Sequence, residues 1–465
     1  MRQRFLYLVV AGIIALLLAA FSLNMLTAHA APGDWSTYLF DLAHSGVNKG
    51  ETIINPSSVA SLHEHWHFQT GGSISTQPVE VNGTVYWGSW DGNEYATDLN
   101  GNKRWATNLG TTTDGSCRPT SAGVASTATV VPIAVGSATS VVYVGGGNAN
   151  FYALNASNGN ILWHTQLGPS PSTFIWSSPT FYQNSIYIGV SSFGDCPLVQ
   201  GMLVQMDAVT GHILHIFATV PNGCTGGGVW GTPTVDKASG FLFFVTGNNG
   251  SCSTTENLVV AIIKLRVADL TFRGAWQVPS SEHGDDSDFG STPTLFKATI
   301  GGTTVYMVGV INKNGVFYAF KRSAITAGPV WRAKVGNGGD CPQCGTASIS
   351  PAAWDGTHLY VASGNATING SFCRGSLQEL DPATGHALWQ RCLNNGPVLA
   401  AVSAVPGVAF VTAGTDLIAI ATANGGVLKT ITDSTSGSLY YGAASISNGV
   451  VYVGNMDGLL HAYGT

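Results

Sequence analysis

Internal repetition limits what this chain can fold into more than any other feature of its sequence. One pattern recurs along residues 33–465: an apolar run, a turn, a second apolar run, a D/N-x-x-x-G turn and then Trp. Three copies make the case, "ALNASNGNILW" (153–163), "QMDAVTGHILH" (205–215) and "ELDPATGHALW" (379–389). Weaker copies end at Trp105, Trp276, Trp331 and Lys429, so that successive endpoints fall 40 to 61 residues apart. That period suits four short strands with their turns, the size of one propeller blade.

Ahead of each copy stands a stretch rich in Ser, Thr and Pro, followed by a β-branched or aromatic run. Eight such runs can be counted: "TVYWGS" (84–89), "VVYVGGG" (141–147), "SIYIGV" (185–190), "FLFFVTG" (241–247), "TVYMVGV" (304–310), "HLYVASG" (358–364), "VAFVTAG" (408–414) and "VVYVGN" (450–455). Their continuous or alternating apolar character and their Gly endings favour strands over helices. The last copy stops at "LLHAYGT" without a Trp segment, whereas "LHEHWHF" (62–68) supplies a Trp segment with no strands before it. The expectation is therefore all-β: an eight-bladed β-propeller with tryptophan-docking repeats, its ring closed by the N- and C-terminal segments, an arrangement that protects sheet edges.

Arg2 and Arg4 precede "FLYLVVAGIIALLLAAFSLNML" and then "AHA" at 28–30, the layout of an export signal. The apolar stretch is also long enough for an uncleaved anchor. The expected division is thus a signal peptide or anchor over 1–30, an N-terminal extension over 31–61 and the propeller over 62–465. A secreted, periplasmic or cell-surface location follows. With a formal net charge of −6 and no basic cluster, the chain is a poor nucleic-acid binder. Eight cysteines in an exported chain point to disulfides. Sequence does not fix their connectivity; proximity favours Cys373 with Cys392 and Cys196 with Cys224, and "CPQC" (341–344), which lacks the His of a haem-attachment motif, reads as a tight local disulfide.

With its "D-x-x-T-G-x-x-x-W" segment at 381–389, the chain resembles the eight-bladed quinoprotein propellers over roughly residues 33–465. Within it, "VWGTPTVDKASGFLFFVTGNNG" (229–250) is similar to the segment by which quinoprotein alcohol dehydrogenases hold pyrroloquinoline quinone (PQQ). The resemblance implies that Trp230 is the floor under the flat cofactor and that Asn248, eighteen residues on, is a Ca²⁺ ligand. An indole offers a rigid face for stacking, and an amide oxygen is a hard ligand suited to Ca²⁺. Taken without the resemblance, the same two residues read as a core Trp and a turn Asn.

Further matches extend the set. "SEHGDDSDFGSTP" (281–293) resembles the stretch carrying the catalytic carboxylate, with Asp286 and Asp288 both candidates for the base that takes the alcohol proton. "NKNGVFYAFKR" (312–322) resembles the segment whose Lys bonds the quinone oxygens, which implicates Lys313. In "SSFGDCPLVQG" (191–201) the acidic Ca²⁺ ligand falls at Asp195 or Cys196, without the expected Glu. "GSCRPTSAGVA" (115–125) aligns with a cofactor cap of adjacent cysteines followed by Arg; here Cys117 stands beside Ser116, and Ala122 replaces the Arg.

Two functions from different classes result. The first is an exported quinoprotein oxidoreductase that oxidises a small or polymeric alcohol with PQQ and Ca²⁺ and passes electrons to an external acceptor. The second is a non-catalytic propeller that binds a protein partner or acts as a scaffold at the cell surface, since fold alone does not fix activity.

Overall fold

The computed structural model describes residues 33–252, 254–284, 286–433 and 437–465. The expected export segment, 1–30, lies outside the described residues. Eight antiparallel sheets stand in a ring, seven of four strands and one, blade three, carrying the short Thr173–Phe174 as a fifth. The first blade runs Val79–Val81, Thr84–Gly88, Asn93–Asp98 and Lys103–Asn108, and the next six follow in chain order. In the eighth, Ser445–Ser447, Val450–Gly454 and Leu459–Gly464 are completed by His63–Gln69 from near the N-terminus, paired antiparallel to Leu459–Gly464. This is the expected propeller, closed by both ends of the chain.

The Trp and Gly of the repeat act between blades. Trp105, on the outer strand of blade one, donates its indole N–H to Ala156 O of blade two (3.0 Å), and its ring covers Gly159. Trp389, on the outer strand of blade six, does the same to blade seven, at Thr422 O (2.9 Å) and Gly425. A Cβ at Gly159 or Gly425 would lie within 2.7 Å of the indole, and both residues have positive φ, so the turn accepts the ring only as Gly. Trp66 on the terminal strand covers Gly101 and donates to Leu99 O (2.7 Å), giving the closing blade the same dock.

The Ser/Thr/Pro stretches have a matching role at the hub. Gln77 N donates to Thr127 Oγ1, Thr127 N to Ser178 Oγ, Ser178 N to Thr232 Oγ1 and Thr232 N to Thr292 Oγ1, all between 2.8 and 3.1 Å. The entries to the innermost strands of blades one to five are thereby stitched in series, satisfying backbone donors that a sheet edge would leave bare.

Residues 33–48 of the extension cross the hub rather than hang from it. Ser36, Leu42, Ala43, Ser45 and Gly46 carbonyls accept backbone N–H bonds from Val130, Val235, Leu295, Trp354 and Ala404, on the innermost strands of five blades (2.8–3.0 Å). Leu39, Phe40 and His44 take left-handed φ of 53°, 76° and 51° to follow this path. Such values are strained for residues with a Cβ and persist because the surrounding contacts fix them.

The cysteines pair as Cys117–Cys196, Cys224–Cys252, Cys341–Cys344 and Cys373–Cys392. The expected Cys196–Cys224 pair is therefore corrected. Proximity in sequence misjudged it because the ring brings the loop before blade two against the loop of blade three, 79 residues away.

Glu94 of blade one is fully buried opposite Gly88, and neither carboxylate oxygen has a hydrogen-bond partner among the described residues. Burial holds its pKa well above the ordinary carboxylate value. The unfolded chain releases this proton near pH 4.3 while the folded chain keeps it, so stability is lost as pH rises beyond that point, by at most about 1.4 kcal/mol per pH unit. Glu94→Gln should remove that slope. Thermal melts of both proteins from pH 4 to 8 check this: the Tm advantage of the variant should widen with pH, and parallel curves would refute it.

Candidate cofactor site

Innermost strands begin at one end of the hub and run towards the extension at the other. The end where they begin opens into a cavity of about 650 Å³, within the range of small-molecule sites. Thr127, Ser178, Thr232 and Thr292 of the stitching line its wall, and Tyr38 of the extension lines it from the far side. The crossing segment thus turns an open channel into a blind one.

Three neighbouring blades bring the predicted residues there. Asp195 follows Ser185–Ser192 of blade three, and Trp230 leads into Thr234–Asp236 of blade four. Asn248 follows Phe241–Val245, Asp286 and Asp288 sit in the loop into blade five, and Lys313 begins the turn after Thr303–Ile311. All six line the cavity. Cys117 does not. It is buried behind the rim among Phe174, Phe193 and Ala122, while its neighbours Arg118 and Pro119 reach the cavity.

Lys313 is the electrostatic centre. Its ammonium, 5% exposed as a residue, donates to Asp286 Oδ2 at 2.6 Å and Asp288 Oδ2 at 3.3 Å, and stands 5.5 Å from the Trp230 ring centroid. Burial works against the charge, but Asp288 and Asp286 outweigh it and keep the lysine protonated with a raised pKa. Asp288 has both oxygens engaged, Oδ2 by Lys313 and Oδ1 by the Asn248 backbone N–H. Burial nevertheless pushes its pKa up to about 6, with Asp286 and Asp195 adding to the rise and Lys313 opposing it. Asp195 is exposed overall, yet partial desolvation of its carboxyl and the Asp286 charge raise its pKa against a hydrogen bond from Asn248. Asp286 differs: its Oδ1 meets no partner among the described residues.

Asp286 and Asp288 share one lysine, Asp195 and Asp340 line the cavity beside them, and burial, with repulsion from neighbouring carboxylates, raises the pKa of Asp288 and Asp195. With the Asn248 amide they form a set of hard oxygen donors, the chemistry that suits a bound cation. Trp230 fits a flat ligand. Its six-membered ring packs where Gly290 has no side chain, since a Cβ there would lie 2.3 Å from the indole.

Sequence reasoning missed the aromatic wall. Trp90, Trp176 and Phe193 line the cavity, with Trp176 and Phe193 stacked at 6.3 Å and Trp90 edge-on to Trp176 at 6.1 Å. The available signal was position, because Trp90 and Phe193 each follow the second strand of a blade, as Asn248 does. Pro342 and Gln343 of the Cys341–Cys344 loop were missed as well.

Over 431 residues the chain is similar to the polyvinylalcohol dehydrogenase of Sphingopyxis sp. (strain 113P3), at 25% identity, covering 81% of this chain and 63% of that relative. Among solved structures it is similar to the quinohemoprotein alcohol dehydrogenase of Comamonas testosteroni, with a TM-score of 0.72 and 19% identity over 94% of this chain and 81% of that one. A europium-containing methanol dehydrogenase also gives 0.72, with 17% identity over 93% of this chain and 98% of that one. At these identities the structural likeness speaks to the fold. Residues 35–335 match the family described as "Glucose/ethanol/alcohol dehydrogenase, beta-propeller domain", and the chain belongs to that PQQ family.

Proposed function

We propose that this protein is an exported dehydrogenase that oxidises an alcohol using PQQ and a bound cation and passes the electrons to an external acceptor. The observation that carries the reading is the meeting of Trp230, Lys313, Asp286, Asp288, Asn248 and Asp195, from three blades, on one blind cavity. Trp230 would carry the quinone plane, Lys313 would donate to its oxygens, and Asn248, Asp195 and Asp288 would hold the cation.

PQQ, when bound, supplies a two-electron acceptor for the hydride of the alcohol carbon. Asp286 is the base: Lys313 fixes its Oδ2, and its unpartnered Oδ1 takes the hydroxyl proton. Asp288 is the poorer base because it is buried and each of its oxygens already accepts a hydrogen bond; it anchors Asn248 and Lys313 and would meet the cation through its remaining lone pairs. Trp90, Trp176 and Phe193 exclude water and cover the carbon skeleton of the alcohol.

Ca²⁺ is the proposed cation. Several carboxylates in one mouth also suit a trivalent ion, and one structural neighbour is a europium-containing methanol dehydrogenase; competition between the two ions measures the preference. The polyvinylalcohol dehydrogenase relative directs attention to secondary and polymeric alcohols. Four disulfides fit an oxidising compartment outside the cytoplasm.

The test is reconstitution. Full-length protein is mixed with PQQ and either Ca²⁺ or Eu³⁺, and dye-linked oxidation of 2-propanol and polyvinyl alcohol is followed. Turnover should require both PQQ and a cation. A folded protein that oxidises neither alcohol with either ion would overturn the reading.

A further inference from the structure

The Cys117–Cys196 disulfide ties a loop between blades one and two to the loop leaving the second strand of blade three. Its sulfurs are packed in an apolar cluster with Phe174, Phe193 and Trp176, away from the cavity. The residues on either side of it face the cavity instead: Arg118 and Pro119 on one loop, Gly194 and Asp195 on the other. The loops touch directly. A Cβ on Gly194 would lie 3.3 Å from Cys196 Sγ and 3.5 Å from Arg118 O.

The two charged residues so presented are in different situations. Asp195 lines the cavity with Asn248, Asp286 and Lys313, so it is already part of the acidic set. Arg118 donates only to the carbonyls of its own loop, Cys117 O at 2.7 Å and Gly115 O at 3.4 Å, and has no ion pair among the described residues. PQQ carries three carboxylates, and in this mouth they would face four aspartates, Asp195, Asp286, Asp288 and Asp340. Two of the three Lys313 N–H groups go to Asp286 and Asp288, so Arg118 is a second cation on the cavity wall, without an ion pair among the described residues. A guanidinium is also the group best shaped to take a carboxylate bidentately. Ala122, aligned with a lost Arg, is fully buried and has no bearing on this charge.

We propose that Cys117–Cys196 is a clamp that fuses the two loops into one rim, holding Asp195 towards Asn248 for the cation and Arg118 towards a carboxylate of the quinone. Cys117 and Cys196 are positioning residues, and Arg118 is a binding residue. The proposal rests on the PQQ reading above.

Equilibrium binding tests it, using PQQ uptake by fluorescence quenching and Eu³⁺ uptake by luminescence in full-length protein without PQQ. C117A/C196A should bind PQQ at least tenfold more weakly than the wild type, and Eu³⁺ more weakly too. R118A should weaken PQQ at least fivefold and leave Eu³⁺ unchanged, with R118K intermediate for PQQ. C373A/C392A, which removes a disulfide whose residues do not line the cavity, should match the wild type within twofold in both assays. C117A/C196A affinities within twofold of the wild type would overturn the clamp alone. If that variant does not fold, R118A with unchanged PQQ affinity overturns the role of Arg118, which is exposed and open to replacement. A wild type that takes up Eu³⁺ but no PQQ defeats the functional reading and the Arg118 half, leaving the Asp195 half to be judged by the Eu³⁺ series.

Discussion

Asp286→Asn should lower alcohol turnover by about 10²- to 10⁴-fold, the usual contribution of a positioned general base, while PQQ affinity stays within a few-fold of the wild type. The asymmetry follows from the two oxygens. Oδ2 is held by Lys313 at 2.6 Å and serves orientation, which an amide oxygen can still provide; Oδ1 has no partner among the described residues, and only a carboxylate can take a proton there. Asp288→Asn should behave in the opposite sense. It weakens a buried anchor between the Asn248 backbone and Lys313, so cation and cofactor affinity should fall first. Kinetics with saturating PQQ and cation separate the two cases. Equal losses of turnover in both variants under saturation would mean that the base has been misassigned.

The second large effect concerns the floor. Trp230→Ala removes a rigid aromatic face whose contact with a flat quinone covers on the order of 100 Å² and is worth about 2–3 kcal/mol. PQQ affinity should therefore drop roughly 30- to 150-fold. Trp230→Phe should recover most of the loss, because it restores a face, whereas Trp230→Leu should recover little. Folding should suffer least in the Phe variant, since the ring packs against Gly290. Equal PQQ affinity in the Ala variant and the wild type would place the quinone elsewhere.

The fold was legible because its determinants repeat. Most blades carry their own Gly turn and Trp, so the same local rule recurs along the chain, and a Trp segment missing at one end reappears at the other. Trp230 and Asn248 were legible for a related reason: both belong to blade four, and their spacing is set by one hairpin. Contacts between blades were harder. The Cys117–Cys196 pair joins loops 79 residues apart, and nothing local to either cysteine distinguishes that partner from Cys224. Arg118 was hidden by the alignment that drew attention to Ala122. The crossing segment at 33–48 has no periodicity, since its backbone bonds go to five different blades and its path needs left-handed residues at Leu39, Phe40 and His44. Tyr38 could not be placed in the cavity without that path. The choice between Asp286 and Asp288 turned on hydrogen-bond partners, which sequence does not carry.

The most direct measurement is a crystal structure of the protein equilibrated with PQQ and Eu³⁺, whose anomalous signal locates the cation. The account predicts one planar quinone per chain lying on Trp230, its oxygens within reach of Lys313, with the ion among Asn248, Asp195 and Asp288 and a quinone carboxylate at Arg118. A cavity that stays free of quinone at saturating PQQ, or a quinone bound away from Trp230, would contradict it.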